Sequence, residues 1–302
     1  MIFEGIFFEI RQQEVKMQTN TLADITSYVD FLRENGFSLT LSCFSETLRP
    51  YYEILLQYEP HLCRVCSFLK SSHKTRQKCI NNKDRLNKSH PQKTYYYCCW
   101  AGVEEFVFPV FCNGEPVCSI NLSGYKGQLE ISKKLSKKLK TRLGDGYREN
   151  YEALSEIVPT QSQAERAINP LKYMLRSLYR QAILTPSEKD PSSDLYIQTL
   201  RYIYDHYMEH ISAQDIAAAL CYSSSHLRHV FFKKSGNTIS DTITAVRLSA
   251  AEQLLAQSEL SVTQIALSCG FCDGNYFSTV FRKHKGMSPK EYRAAYHARR
   301  GR

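Results

Sequence analysis

The C-terminal third of this chain contains one pattern written twice, and that repeat leaves little freedom in what it can fold into. "ISAQDIAAAL", starting at Ile211, matches "LSVTQIALSC", starting at Leu260, so that Ser212 pairs with Ser261, Ile216 with Ile265 and Ala217 with Ala266. Past a turn that is one residue longer in the second copy, Leu227 pairs with Phe277, Val230 with Val280, Phe231 with Phe281, Lys233 with Lys283 and Gly236 with Gly286. Each copy has the grammar of a helix-turn-helix. A short first helix opens with a capping box, Ser212 with Asp215 and Ser261 with Gln264, in which the hydroxyl accepts from an orphan amide and the acid or amide side chain reaches back. The second helix must turn Leu227, Val230 and Phe231, or Phe277, Val280 and Phe281, inward. Its opposite face then carries Ser225, Arg228 and His229 in one copy and Asn275, Ser278 and Thr279 in the other, side chains with the reach and chemistry to read base edges. Beyond them Lys233 and Lys234, then Arg282, Lys283 and Lys285, suit phosphates. A further capping box, "SPKE" with Pro289 in the first turn, opens a last helix.

At 302 residues the chain has room for about two domains. Its 11 cysteines do not describe a secreted disulfide scaffold, because most fall between Cys43 and Cys118, the total is odd, and no secretory signal precedes them. A reducing cytoplasm is the expectation. The opening "MIFEGIFFEIRQQ" reads as an untargeted extension, with Met17 a candidate start. No apolar run approaches the ~18 residues of a membrane span. The formal charge of +9 is compatible with nucleic acid, an anionic membrane or acidic partners, and by itself does not choose among them.

Residues 22–60 read as helical pieces, with Leu22, Ile25, Tyr28, Val29 and Leu32 at helical spacing. Around 95–125 the texture changes to two short strands, "FVFPVF" and "VCSINLSGY", joined by a hairpin in which Asn113-Gly114 supplies the positive-φ residues. An α+β unit over 22–127 follows. Residues 128–184 return to helix: Ile131, Leu135, Leu139 and Leu143 form one stripe, while Ala164, Ile168, Leu171, Leu175, Leu178 and Ala182 alternate four and three apart, as in a coiled-coil seam interrupted by Pro170. Two readings stand for this segment: a dimerisation seam, or helices packed on the unit's own sheet. "TPSEKDPSSD" (185–194) has the composition of a linker, and 195–302 is all-α.

The run "SVTQIALSCGFCDGNYFSTVFRKHKGMSPKEYR" resembles the AraC/XylS family of transcription regulators, and 195–296 resembles the whole of its DNA-binding domain. The shared features stand here as Ala266, Gly270-Phe271, Tyr276-Phe277, Phe281, Gly286, Pro289 and Tyr292. The resemblance implies two helix-turn-helix subdomains joined by a long helix, about Ser240 to Ala256, with two recognition helices in successive major-groove segments. The sequence departs from the pattern at Thr279, where the family carries an arginine, so that half would read DNA less strongly or address a thymine methyl.

The cysteines of "CRVCSFLK" and "YYYCCWAGVEEFVFPV", with Cys79, admit three readings. Zinc or iron would need four converging ligands, for which Cys63, Cys66, Cys79 and Cys99 are the candidates, with Cys98 as an alternative to Cys99 and His61, His73 and His90 nearby. A redox sensor would need an exposed low-pKa thiol beside cations such as Lys70, Lys74, Arg76 and Lys78. Cysteine as a small buried apolar residue is the common case. The stretch from Cys63 to Gly124 also resembles the PocR sensory domain, with the matching positions at Cys63, Cys79, Cys99, Gly102, Pro109 and Gly124, and with Trp100 where that family has a histidine. The resemblance implies a PAS-like sensor of small hydrocarbon derivatives such as diols. Cys63, Cys79, Cys99, Tyr97, Trp100 and Phe106 are then the expected pocket residues, with an apolar wall and a few convergent polar groups. A pocket wall ranks first, a metal cage second and a redox pair third.

The expectation is a cytoplasmic, ligand-responsive transcription regulator: a sensor, a helical connector at 128–184 with a candidate dimer seam, and a paired helix-turn-helix. Its partners would be promoter DNA, a small effector and RNA polymerase, with no membrane. A metal- or redox-sensing regulator is the alternative. No phosphate loop, nucleophile elbow or HExxH is present, and thiol chemistry at Cys99 is the one weak argument for an enzyme.

Overall fold

The computed structural model describes residues 21–42, 44–61, 63–70, 75, 77–79, 92–184, 191–258 and 260–300; the N-terminal extension and most of the Lys70–Arg76 cations lie outside them. Helix α1 (21–34) ends at Gly36, whose φ of 88° lets the amide of Phe37 return to the Leu32 carbonyl at 3.0 Å. The chain then enters β1 (Ser38–Ser42), short helical turns (Glu46–Tyr51, Tyr52–Leu55 and Leu56–Tyr58), and α2 (Arg64–Lys70). Strands β2 (Tyr95–Cys98), β3 (Glu104–Cys112) and β4 (Glu115–Tyr125) complete a four-stranded antiparallel sheet in the order β1-β4-β3-β2.

The predicted hairpin is β3-β4. Asn113 and Gly114 have φ of 53° and 86°, the paired positive values that match the twist of the flanking strands. Strand β1 corrects the all-helical reading of 22–60. "SLTLS" alternates, but both faces are covered, and its polar residues are satisfied across the sheet: Asn121 Nδ2 donates to Ser42 Oγ at 3.0 Å and to Thr40 Oγ1 at 3.3 Å.

Helices α3 (Glu130–Glu152) and α4 (Gln161–Leu184) follow. Gly144, at φ 70° and ψ −155°, breaks α3 into two arms, so that Lys140 on the first reaches Glu152 on the second. The first arm of α3 buries Ser132, Ser136 and Leu139, and the second Tyr147, Asn150 and Tyr151; Ile131, expected in the apolar stripe, is 58% exposed. Of the two readings of the stripe on α4, packing on the chain's own sheet is the one the structure has. Ala164, Ile168, Leu171, Leu175, Leu178 and Ala182 are buried against the chain's own β3, β4 and the turn at Glu46–Tyr51. Arg176 Nε donates to the Phe111 carbonyl at 2.8 Å and Lys172 lies 5.0 Å over the Phe108 ring. Self-association through that stripe would have to undo the sensory core.

The predicted linker is shorter than its composition suggests, because α5 (Pro191–His206) begins inside it, with Pro191 at the first helical position. The helices α6 (Ala213–Ala219), α7 (Ser224–Ser235), α8 (Ile239–Gln257), α9 (Val262–Ser268), α10 (Gly274–Lys285) and α11 (Pro289–Arg300) then realise the repeat. Both capping boxes form. Ser288 and Glu291 make the third, the Ser288 amide donating to Glu291 Oε2 at 2.6 Å. Gly236 and Gly286 close α7 and α10 in the left-handed conformation at φ of 70° and 73°.

Arg247 links the two units. Arg247, on α8, donates from Nε to the Tyr207 carbonyl and from a terminal nitrogen to the Glu209 carbonyl, both at 2.7 Å, with its guanidinium 5.9 Å from the Phe271 ring. The turn of the second unit holds Gly270 at φ 85°, and a Cβ there would lie 2.5 Å from the Tyr207 carbonyl and 2.9 Å from Met208 Cα. At the matching turn of the first unit stands Cys221, also left-handed at φ 60°. Gly270→Ala combines backbone strain with a clash against main chain, and should lower unfolding free energy by about 2 kcal/mol or more. Denaturant melts of the two proteins test this, and a loss below about 0.5 kcal/mol would show the turn to be permissive.

Candidate DNA-reading surface and sensory core

Leu227, Val230 and Phe231 bury one face of α7, and Phe277 and Phe281 one face of α10. Ser225, Arg228 and His229 are thereby exposed on α7, and Asn275 and Thr279 on α10, while Ser278 is half-buried. The Ser278 hydroxyl donates back to the Gly274 carbonyl at 2.7 Å and that of Thr279 to the Asn275 carbonyl at 3.0 Å. Ser278 thus presents less to solvent than its spacing suggested, and Thr279, with its hydroxyl engaged, has its methyl left for apolar contact. Each reading helix has a side-chain N-cap, Ser223 on His226 N and Asp273 on Asn275 N and Tyr276 N.

Among the expected phosphate contacts, Lys233 and Lys283 are exposed with no acidic partner among the described residues. Arg282 pairs with Glu291 at 3.3 Å, Lys285 with Glu252 at 2.7 Å, and Lys234 donates to Ser193 Oγ at 2.9 Å. The sequence reading missed His226 and Tyr276. The repeat places them at matching positions, both exposed, Tyr276 at 59%, and an outward aromatic next to an inward one was the available clue.

In the sensory half the thiols gather in a second core, apart from the main one. Cys63, Val65, Cys66, Leu69, Ala101, Val103, Leu139, Tyr147, Tyr151 and Leu154 are buried together, with Cys99 and Trp100 packed against them. Phe106, expected among these walls, lies in the main core, stacked with Phe108 and tilted against Tyr96. Tyr97 reaches the thiol side, its hydroxyl donating to Glu105. His61 Nδ1 stands 3.6 Å from the other Glu105 oxygen. Tyr147 donates to the Ala101 carbonyl at 2.7 Å.

Burial pushes the Cys99 thiol well above its ordinary 9.0, and Cys66, Glu105 and Cys79 nearby add to the rise. Burial likewise pushes Cys98 up to about 12. These groups hold their protons, whereas metal ligation and thiol redox chemistry both act through thiolates. Among the described residues, no three or more His, Cys, Asp or Glu are arranged to hold a metal ion. The Cys63, Cys66, Cys79 and Cys99 set does not fit zinc or iron, because Cys63, Cys66 and Cys99 are interleaved with apolar side chains. The described cysteines include no disulfide.

Glu104 and Glu105 are both buried, a pair that sequence reasoning passed over. Glu104 accepts from the Leu129 amide at 2.6 Å and from the hydroxyls of Ser132 and Tyr96, fixing the start of α3 to the sheet. Burial alone would raise its carboxyl. The hydrogen bonds from Ser132, Tyr96 and the Gln128 and Leu129 amides outweigh that and hold it below its ordinary 4.5.

Two family matches cover most of the described chain. Residues 216–295 match the helix-turn-helix domain family, and residues 35–183 match the sensory domain found in PocR. The chain joins a PocR sensory domain to an AraC-type helix-turn-helix domain. The sensory match runs through α3 and α4. Similar curated proteins include the uncharacterized HTH-type transcriptional regulator YijO of Escherichia coli K12, 33% identical over 144 residues, 47% of this chain and 50% of that one. The HTH-type transcriptional activator RhaS of Klebsiella pneumoniae is 34% identical over 143 residues, again 47% and 50%. The chain spans about half the length of these relatives. Among solved structures, the C-terminal domain of AraT from Geobacillus stearothermophilus is 28% identical, with 36% of this chain and 88% of that one covered and a TM-score of 0.34. No described helix is long and apolar enough to cross a membrane.

Because Glu104 is held below its unfolded value, its stabilisation is complete above pH about 4.5 and is lost as pH falls through the folded value. Glu104→Gln should cost about 1.5–3 kcal/mol at neutral pH and flatten the acid limb of the stability profile. Thermal melts between neutral and acidic pH measure both, and an acid limb identical to that of the parent protein would remove Glu104 from the account.

Proposed function

We propose that this protein is a transcription regulator that binds promoter DNA through α7 and α10 and adjusts that binding to a small molecule held in its sensory half. The observation that carries the reading is the pair of capped helices with apolar faces buried and matching polar faces exposed, held on one scaffold by α8. Arg228 and His229 on α7, with Asn275 and Thr279 on α10, are the base-reading candidates, and Lys233 and Lys283 the phosphate contacts. RNA polymerase at such promoters is the natural downstream partner.

The effector would be a small, largely apolar molecule carrying hydroxyl or similar donors. Cys63, Cys99, Trp100 and Tyr147 offer apolar surface there, and Glu105, His61 and Tyr97 offer buried polar partners. A diol has the matching chemistry. Two contacts support a route from effector to DNA. Helix α2, which carries Cys66, packs against α9, the first helix of the second unit. On the other side α5 packs on the turns at Tyr52–Tyr58, where Arg201 lies 5.1 Å over the Tyr52 ring and Arg49 pairs with Asp194 at 2.7 Å. The sensory half therefore touches both units, and an effector that shifts α2 would bias one unit relative to the other.

Two substitutions separate the roles of the DNA face. Arg228→Ala should weaken binding to a selected promoter duplex by about 1–3 kcal/mol while leaving non-specific binding nearly unchanged. Lys283→Ala should weaken both and lower the salt slope by about one. Fluorescence anisotropy across a salt series reads both, and equal loss on every duplex for Arg228→Ala would take that residue out of base reading.

A further inference from the structure

A cleft of about 490 Å³ opens between the two arms of α3 and the loop after β4, lined by none of the thiols and by no residue of α7 or α10. Lys126, Lys133, Lys137, Lys140 and Arg148 line it, against a single lining carboxylate, Glu156. Its shape follows from the sequence. Lys133, Lys137 and Lys140 recur at helical spacing on the first arm, and the break at Gly144 folds the second arm back so that Arg148 and Tyr151 face them. Lys140 lies 5.0 Å over the Tyr151 ring, and Tyr151 Oη accepts from the Gly127 amide at 3.0 Å. Gln128, Ser136 and Thr141 add neutral hydrogen-bonding groups.

Carboxylates pair with four of the five cations, but Glu130, Asp145 and Glu156 are largely exposed. Lys126 and Lys140 share Glu152, and Lys126 also holds Glu156 at 2.7 Å, but Glu156 is 73% exposed and free to turn to water. The pairs Lys133–Glu130 and Arg148–Asp145 are more than half exposed on both sides and contribute little. Lys137 has no carboxylate partner among the described residues. A concave site of this volume fits a small molecule and not a duplex. Ammonium groups on three successive turns act as point charges for oxygens that carry more than one negative charge between them.

We propose that this cleft binds a small phosphorylated metabolite, as a second input to the sensory half. Tyr151 stacks on Tyr147 at 5.6 Å, and Tyr147 reaches the Ala101 carbonyl next to Trp100, so the floor of the cleft continues into the thiol core. Trp100 is the only tryptophan in the chain and reports on that core. The proposal does not depend on the DNA reading, and its test uses no DNA as ligand.

The experiment titrates inorganic pyrophosphate into the full-length protein at constant ionic strength, following Trp100 emission and heat of binding. Saturable binding is expected below about 1 mM, weakened about tenfold or more in Lys133→Ala/Lys137→Ala. Lys134→Ala/Lys138→Ala removes the same charge from exposed positions outside the cleft and should bind as the parent does. Absence of a saturable response, or equal weakening in the two double variants, would overturn the site in favour of diffuse charge. So would undiminished pyrophosphate binding in Lys133→Ala/Lys137→Ala, which would take these lysines out of the site.

Discussion

The geometry of the DNA-binding half rests on the Arg247 fork. A helix-turn-helix of this size buries too little to fix its own orientation, so the relation between the two units has to come from what lies between them. Arg247 supplies it by joining three pieces of chain: the carbonyls that end the first helix of the domain, the central helix it stands on, and the Phe271 ring behind the second turn. Each charged hydrogen bond of this kind contributes about 1.5–3 kcal/mol. The planar, two-pronged guanidinium matters as much as the charge, since an ammonium could not hold both carbonyls in one geometry. Gly270 completes the joint by letting the second turn come within contact of the Tyr207–Met208 backbone.

The sensory half is organised by buried polar groups of a different kind. Glu104 ties the start of α3 to the sheet, while Glu105 faces the thiol side with Tyr97 and His61. Two adjacent carboxylates in one strand thus serve opposite faces, one fixing α3 and one engaged with Tyr97 and His61. Cys63, Cys66 and Cys99 lie among apolar side chains, which suits a wall and not a cage. Through α2 on one side and α5 on the other, this half touches both helix-turn-helix units.

The repeat was legible because its determinants are local: capping boxes, terminal glycines and apolar positions three and four apart specify each unit within a dozen residues. The hairpin at Asn113-Gly114 was legible for the same reason. Strand β1 was not, since "SLTLS" is short and its pairing with β4 is long-range. The stripe from Ala164 to Ala182 was read correctly as buried, yet a stripe does not say whether a second copy or the chain's own sheet covers it. Phe106 and Tyr97 were placed together because alternation was not carried across β2 and β3, whose register sends them to different cores. Glu104-Glu105 was passed over because acidic pairs are usually solvated; their position inside "YYYCCWAGVEEFVFPV" was the clue.

The central claim is that two reading helices on one rigid scaffold address two stretches of the same duplex. Selection of bound sequences from a random duplex library by the full-length protein tests it most directly. The account predicts enriched sites with two conserved blocks at a fixed separation of about one helical turn, and loss of binding when about half a turn of DNA is inserted between them. Enrichment of a single block, or two blocks at variable spacing, would show that the units do not read DNA as one rigid pair.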